Sequence, residues 1–502
     1  MKDKKLNNQD RGYILLIVLF MMLLLAVAAL GMNRQAALQE QMAANQTQAV
    51  QFSLGQLAVL EKAAWSLTRS PTWRTSPSGE SLDFEGITYT LIVQDSTIAG
   101  YGDVVTITVQ ALSGLRDVSM SFRVQVEKSI YIADTFNHRI RKIYENDQGD
   151  WIIVNVAGKG KAGYNGDDKV ATDAEINYPF GVATDHTGNI YIADTYNHRI
   201  RKVYENDQGQ LIITTFAGDG KKGFRGDGGR ATRAKMRYPC DVDVGGSGKV
   251  YFADTNNYCI REVSQNAQGE WIIDTVAGTP EWPGYWGDDR GPYTATQALM
   301  NQVYGLFSDN PGNIYIADTY NHRIRRVDGE IWEISTVAGN GSGEYSGDGG
   351  LAVNAEIKTP RGVAVDFSDN IFIADRENCL IRKVNGSDQI ITTVAGKVVS
   401  GTPVCGLSGD GGLATSAELD NPSGVSVDSA GNIYIADTYN CAIRMINASD
   451  NTISKLAGRE DAGEPQCGYY GNGILGVYAE LNFPQDVHVH EAVTLEKVSE
   501  VY

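Results

Sequence analysis

YIADTYNHRIRKV, beginning at Tyr191, decides the fold, because the chain writes this stretch six times. YIADTFNHRIRKI starts at Tyr131, YFADTNNYCIREV at Tyr251, YIADTYNHRIRRV at Tyr315, FIADRENCLIRKV at Phe372 and YIADTYNCAIRMI at Tyr434. The spacings are 60, 60, 64, 57 and 62 residues, so one supersecondary unit recurs. In the second copy GVATD, NIYIADT, HRIRKV and IITTFAG read as four short strands, and a Gly-rich connection leads to the next unit. Four strands per unit in several units describe a β-propeller. The first copy lacks a GVATD-like strand before it. FPQDVHVH, from Phe483 to His490, aligns with YPFGVATD from Tyr178 and supplies that strand from the C-terminus. Ring closure pairs the edges an open array would leave free. The predicted fold is mainly β: a six-bladed propeller over residues 129–502, closed by a C-terminal strand.

These units resemble the NHL repeat family, over about three-quarters of the chain. Some NHL-type and related six-bladed proteins are lyases or lactonases with a metal in the channel. Here the channel register offers Ala183, Asp243, Phe307, Ala364, Ser426 and His488, a poor metal set. His490 shares a face with His488. No HExxH, G-x-S-x-G or GxxxxGK[ST] appears, and no CxxCH. The expectation is a non-enzyme, with no catalytic residue, metal or cofactor; a membrane-anchored propeller lyase or lactonase is the enzymatic alternative.

All six copies carry D-x-x-N-x-x-I-R, from Asp134, Asn137, Ile140 and Arg141 to Asp437, Asn440, Ile443 and Arg444. A small asymmetric ligand has no use for six equal sites, so these residues are read as structural. Asp and Asn hold tight turns, and Arg bridges to carboxylates or carbonyls. Each connection also carries a G-D or G-N pair, at Asp167, Asp227, Asp288, Asp348, Asp410 and Asn472. No loop has the close-set carboxylates of an EF-hand, so turn capping is expected in preference to calcium.

Six cysteines allow fifteen pairings. Cys379 and Cys441 take the register position of His198, while Cys405 and Cys467 each precede a Gly-rich loop 26 residues later. Cys240 and Cys259 begin the first and third strands of their blade. The register selects Cys240–Cys259, Cys379–Cys405 and Cys441–Cys467, and an oxidising compartment. The non-repeated loop TPEWPGYWGDDRGPYT puts Trp282, Tyr285, Trp286 and Tyr293 together as a candidate protein- or glycan-binding surface.

Tyr13 to Met32 is a 20-residue run without a charge, about 30 Å long as a helix and enough to span a bilayer. Lys2, Lys4, Lys5 and Arg11 precede it, so the N-terminus is expected in the cytoplasm and the rest outside. Leu54, Leu57, Leu60, Ala64 and Leu67 continue a helical stripe until Ser70-Pro71. The basic leader ending in Gly12, the apolar start at Tyr13 and the amphipathic continuation resemble a type IV pilin. QEQMAANQTQAVQFSLGQLAVLEKA looks most like PilX-type minor pilins, although Ile17 stands where most pilins carry Glu. The resemblance implies a leader, 1–12, cleaved between Gly12 and Tyr13. A pilin helix over 13–70, transmembrane over 13–32, would pack with other pilin subunits. The protein would sit in the inner membrane before assembly and on a cell-surface filament after it. Within a pilin-like head over 71–128, residues 84–127 alternate in three runs and read as a small antiparallel sheet.

Of the 43 Lys+Arg and 61 Asp+Glu, residues 1–128 hold 11 of each; the whole formal charge of −18 lies beyond them. An acidic balance argues against a nucleic-acid partner. The functional expectation is a pilus- or pseudopilus-type subunit displaying a propeller for adhesion or partner binding. The alternative is a main structural subunit of a propeller-decorated filament.

Overall fold

The computed structural model describes residues 80–84, 87–98, 102–111, 118–288 and 294–501. The expected leader, the Gly12–Tyr13 cleavage point and the long helix over 13–70 lie outside the described residues. Among the described residues no helix is long and apolar enough to cross a membrane. The chain divides into two units, Met1–Glu127 with Glu491–Tyr502, and Lys128–His490.

In the first unit Glu80–Phe84, Ile87–Ile98, Gly102–Ala111 and the start of Val118–Asp134 form an antiparallel meander. Leu91 lies opposite Val109, and Val105 opposite Phe122, which fixes the register.

The second unit is the propeller. Blade two shows the plan: Pro179–Thr184 innermost, then Ile190–Asp194, Arg199–Glu205 and Leu211–Ala217, each antiparallel to the last. The second strand, IYIAD, is buried at every position because a blade has a neighbour on both faces. Tyr191 and Ala193 pack toward blade three, and Ile192 toward blade one. The core is therefore a series of wedges between blades. Lys169–Val170 in the connection pairs with the outer strand of blade two, and Gly229–Arg230 does so in blade three.

Closure follows the predicted route. The strand Asp486–Val501 pairs with Val118–Asp134, the Gln485 N–H donates to Ala133 O at 3.1 Å, and Val487 is buried beside Ile130 and Ile132. One boundary differs: the propeller unit ends at His490, not at residue 502. Glu491–Val501 prolongs the closing strand and groups with the first unit.

Candidate functional site

The repeated residues form one buried circuit per blade. Asp194 is fully buried in the turn after the second strand, and its Oδ1 accepts the Asn177 N–H at 2.7 Å. Asn197 Nδ2 donates to both Asp194 oxygens and, at 2.6 Å, to Gly163 O of the incoming connection. Arg201, also fully buried, reaches Asp194 at 3.4 Å and Asp167 at 3.0 Å. The loop carboxylates are thus counter-ions to the third-strand arginines rather than turn caps; Asp227, Asp288, Asp348 and Asp410 do the same. In blade one the equivalent is the neutral Asn472, whose Oδ1 accepts the Asn155 N–H. Burial pushes the Asp134, Asp254, Asp318, Asp375 and Asp437 carboxyls up to about 6, against the pull of the paired arginines. This machinery holds blades together and is of one kind in five of the six blades, with Asn472 replacing the loop carboxylate in blade one.

Function belongs where the blades differ. In an antiparallel blade the second-to-third-strand turn and the start of the inner strand lie at one end, so all six blades present both on one face. The turn ends in a left-handed residue, as at His198 with φ 53°. The residue opening the inner strand is left-handed too: Tyr178, Tyr238, Gln302, Thr359, Asn421 and Phe483 have φ of 45–53°. A bulky side chain there costs about 1–3 kcal/mol, a cost the fold carries in every blade. Six rings from these two positions meet in sequence around the face. Centroids are 5.6 Å apart for Tyr439–Phe483, 5.2 Å for Phe483–Phe136, 5.1 Å for Phe136–Tyr178, 4.9 Å for Tyr178–Tyr196 and 5.1 Å for Tyr196–Tyr238. Phe136, Tyr196 and Tyr439 are 45–49% exposed. The histidines of these turns are latches: His138 Nδ1 accepts the Tyr178 N–H at 3.1 Å, and His322 Nδ1 the Thr359 N–H at 3.1 Å.

The arc curves round the channel mouth. There Phe180, Cys240, Tyr304, Arg361, Ser423 and Gln485, one from each blade at one register position, line a cavity of about 30 Å³. Below them four blades carry Gly, because the inner strands nearly touch. A Cβ on Gly305 would lie 1.8 Å from Arg361 O. The other two blades carry Asp241 and Asp486, whose carboxylates accept the Leu306 and Val182 N–H groups at 2.8 and 2.9 Å. Deeper still, Asp243 accepts the N–H and Oγ–H of Ser308, and Thr184 Oγ1 lies 3.0 Å from His488 Nε2 and 2.9 Å from His490 Nδ1. Burial lowers both histidines to about 4. A histidine depressed in the folded state contributes stability above its unfolded value near 6.5, and that contribution is lost as pH falls toward 4. Between pH 7 and pH 5 a His488→Gln, His490→Gln double variant should therefore lose less melting temperature than the parent chain. Equal pH slopes would contradict this.

Two of the three predicted disulfides are present, Cys379–Cys405 and Cys441–Cys467, each with Cα atoms 5.4 Å apart. The Cys240–Cys259 pairing is corrected: both are free and buried. Asp254 pairs with Cys259 across one ladder, and its neighbour Ala253 O accepts the Cys240 N–H from the other side. The whole second strand thus lies between the two cysteines. Two strand spacings are about 9.5 Å, beyond the reach of a disulfide. Sharing an edge was not enough.

The aromatic loop separates into parts. Tyr285 is a repeat residue: Arg323 lies 3.8 Å over its ring, as Arg199 lies 3.9 Å over Tyr164 and Arg139 3.7 Å over Tyr469. Trp282 and Trp286 are 68% and 48% exposed. Tyr293 lies outside the described residues. The aromatic arc itself escaped sequence reading, although its signal was present as an aromatic after Asp-Thr in four of six copies.

The NHL repeat model matches residues 177–203 and 419–444. Similar curated proteins include human NHL repeat-containing protein 2, 24% identical over 386 residues, covering 74% of this chain and 45% of that protein. Human Teneurin-1 is 27% identical over 308 residues, covering 53% of this chain and 10% of that protein. Protein SUPPRESSOR OF QUENCHING 1, chloroplastic, of Arabidopsis thaliana is 28% identical over 277 residues, covering 53% and 25%. The matches thus span less than half the length of these relatives. Among solved structures, a structural genomics protein of unknown function from Bacteroides thetaiotaomicron aligns at a TM-score of 0.47 and 13% identity, over 86% of this chain and all of that one. The chain carries NHL repeats, and they build a six-bladed β-propeller.

Proposed function

We propose that the protein is a displayed binding module whose propeller recognises an extracellular protein or glycan through the face that carries the strand turns. The observation that carries this reading is the arc of six touching rings, three of them about half exposed and the other three on left-handed backbone. Amphipathic aromatics offer an apolar face together with a polar rim, which suits recognition in water. The two disulfides support an extracytoplasmic location. Binding is favoured over lyase-type chemistry because the channel carboxylates Asp241, Asp243 and Asp486 are already engaged by main-chain N–H groups. The apolar segment over 13–32 and its pilin-like continuation support a filament subunit, inserted in the inner membrane and then assembled with other pilins after cleavage at Gly12–Tyr13.

Blade three carries Asn256 where four blades carry an aromatic, so asparagine is compatible with the turn. A Phe136→Asn, Tyr196→Asn, Tyr439→Asn chain should keep the parent melting temperature. Its binding to an array of immobilised glycans and extracellular proteins should fall at least tenfold. Undiminished binding by a folded triple variant would contradict the reading.

A further inference from the structure

We propose that Arg361 and Arg376 form a receptor for a carboxylate carried on a saccharide, so that uronate-type oligosaccharides bind at the channel mouth and lie along the aromatic arc. This rests on the turn face being the binding surface.

Blade five breaks the repeat at two places. Where the other blades have Thr135, Thr195, Thr255, Thr319 and Thr438 after the turn Asp, it has Arg376. Thr135, Thr319 and Thr438 bridge to the proline carbonyl of the next blade, a bond that Arg376 gives up. At the mouth position, blade five supplies Arg361. Neither guanidinium has a carboxylate of the described residues within ion-pair distance, in a chain whose net charge is −18. Among the described residues Arg361 has only Gln485 Oε1, at 2.6 Å, and the ring of Tyr304, 4.3 Å from its Cζ. Arg376 reaches Tyr439 Oη at 3.5 Å, and its buried Nε has no partner. Each arginine thus rests beside a tyrosine, with donors left over. Burial and the nearby Arg376 weaken the hold of Arg361 on its own proton, so a bound anion would relieve both effects.

The remaining mouth groups do not compete for the anion site. Asp241 and Asp486 line the same cavity, but their oxygens accept main-chain N–H groups. Burial and, for Asp241, the proximity of Asp486 push these carboxyls upward. Cys240 is a neutral thiol, pushed up to about 12 by burial. A cavity of about 30 Å³ admits a carboxylate but not a residue-sized group, so the rest of any ligand must lie outside, on the rings. Guanidinium pairs favour planar oxyanions. Exposed tyrosine faces suit the C–H side of a pyranose, and their hydroxyls suit its O–H groups. An acidic peptide would instead seek free main-chain donors. The turn amides here are taken, as in Phe136 N–H to Asn482 O and Tyr196 N–H to Asn177 O, both 3.1 Å.

The test measures binding of the full chain to trigalacturonate and a hyaluronate tetrasaccharide, with methyl-esterified trigalacturonate and a triglutamate peptide as comparators. Variants are Arg376→Thr and Arg361→Ser, residues that other blades already carry at these positions, with melting temperature as the folding control. At least one uronate should bind more tightly than the methyl ester and the peptide. Its affinity should fall about tenfold in Arg376→Thr and reach the methyl-ester level in the double variant. The inference is overturned if neither uronate binds at millimolar concentration, if triglutamate binds as tightly, or if the arginine variants change uronate affinity less than twofold. Equal binding of acid and ester that is lost only in the Phe136/Tyr196/Tyr439 asparagine variant removes the carboxylate receptor but leaves the turn face as the binding surface.

Discussion

Replacing Arg325 by methionine is expected to cost the propeller about 3–5 kcal/mol, the usual penalty for removing one partner of a buried ion pair. Arg325 is the most sealed of the six repeated arginines. Its own side chain is fully buried and its loop partner Asp288 is only 3% exposed, whereas the matching aspartates of Arg201, Arg261, Arg382 and Arg444 are 30–38% exposed. Nε donates to Asp288 Oδ1 at 3.0 Å, Nη1 to Leu299 O at 2.8 Å, and Asp318 Oδ2 lies 3.5 Å away. Without the guanidinium, two buried carboxylates lose their cation and the Leu299 carbonyl its donor; the hydrogen bonds from Asn301 and Asn321 to Asp318, and from Tyr285 and Thr336 to Asp288, do not replace a charge. Arg444→Met should cost less, because water reaches Asp410. Urea unfolding followed by tryptophan fluorescence measures both. A loss under 1 kcal/mol for Arg325→Met, or the opposite ranking, would contradict the circuit described here.

Removing both disulfides should have a comparable or larger effect. Each links residues 26 apart in sequence. Loop-closure entropy for such a loop gives about 3–4 kcal/mol per bridge at 25 °C, or about 7 kcal/mol together. The bridges sit where other blades use a histidine latch, so blades five and six have no His138-type substitute for them. A Cys405→Ser, Cys467→Ser chain should unfold at much lower urea, and reductant should lower the parent midpoint by a similar amount. Alkylation of the parent without reductant should label Cys240 and Cys259 alone, and only after unfolding, since both are buried. An unchanged midpoint on reduction, or a protected Cys240–Cys259 pair, would contradict the assignment.

The six-blade ring was legible because its signal is periodic: IYIAD repeats every 57–64 residues, and FPQDVHVH completes the first unit by register alone. Register also located two disulfides, since each joins a turn to the exit of the same blade. It failed for Cys240 and Cys259, where the edge was right but the intervening strand was not counted. The loop aspartates were legible as conserved in role across the copies, yet their partners, such as Arg201 for Asp167, stand 34 residues away and appear only when the connection folds back. The aromatic arc was hidden for a related reason. Phe136 and Tyr178 belong to different repeats and touch only across a blade boundary. Arg361 and Arg376 were equally quiet, because each departs from the repeat singly and the ring brings them to one mouth.

The central claim is that the aromatic arc, on the face carrying the strand turns, meets the ligand. Hydroxyl-radical footprinting of the full chain, free and captured on the array ligand that binds it best, tests this most directly. The account predicts protection of Tyr196, Tyr439, Phe483 and Phe136 on binding, with Trp282 and Trp286 unchanged. Protection confined to Trp282 and Trp286, with the arc still fully reactive, would contradict it.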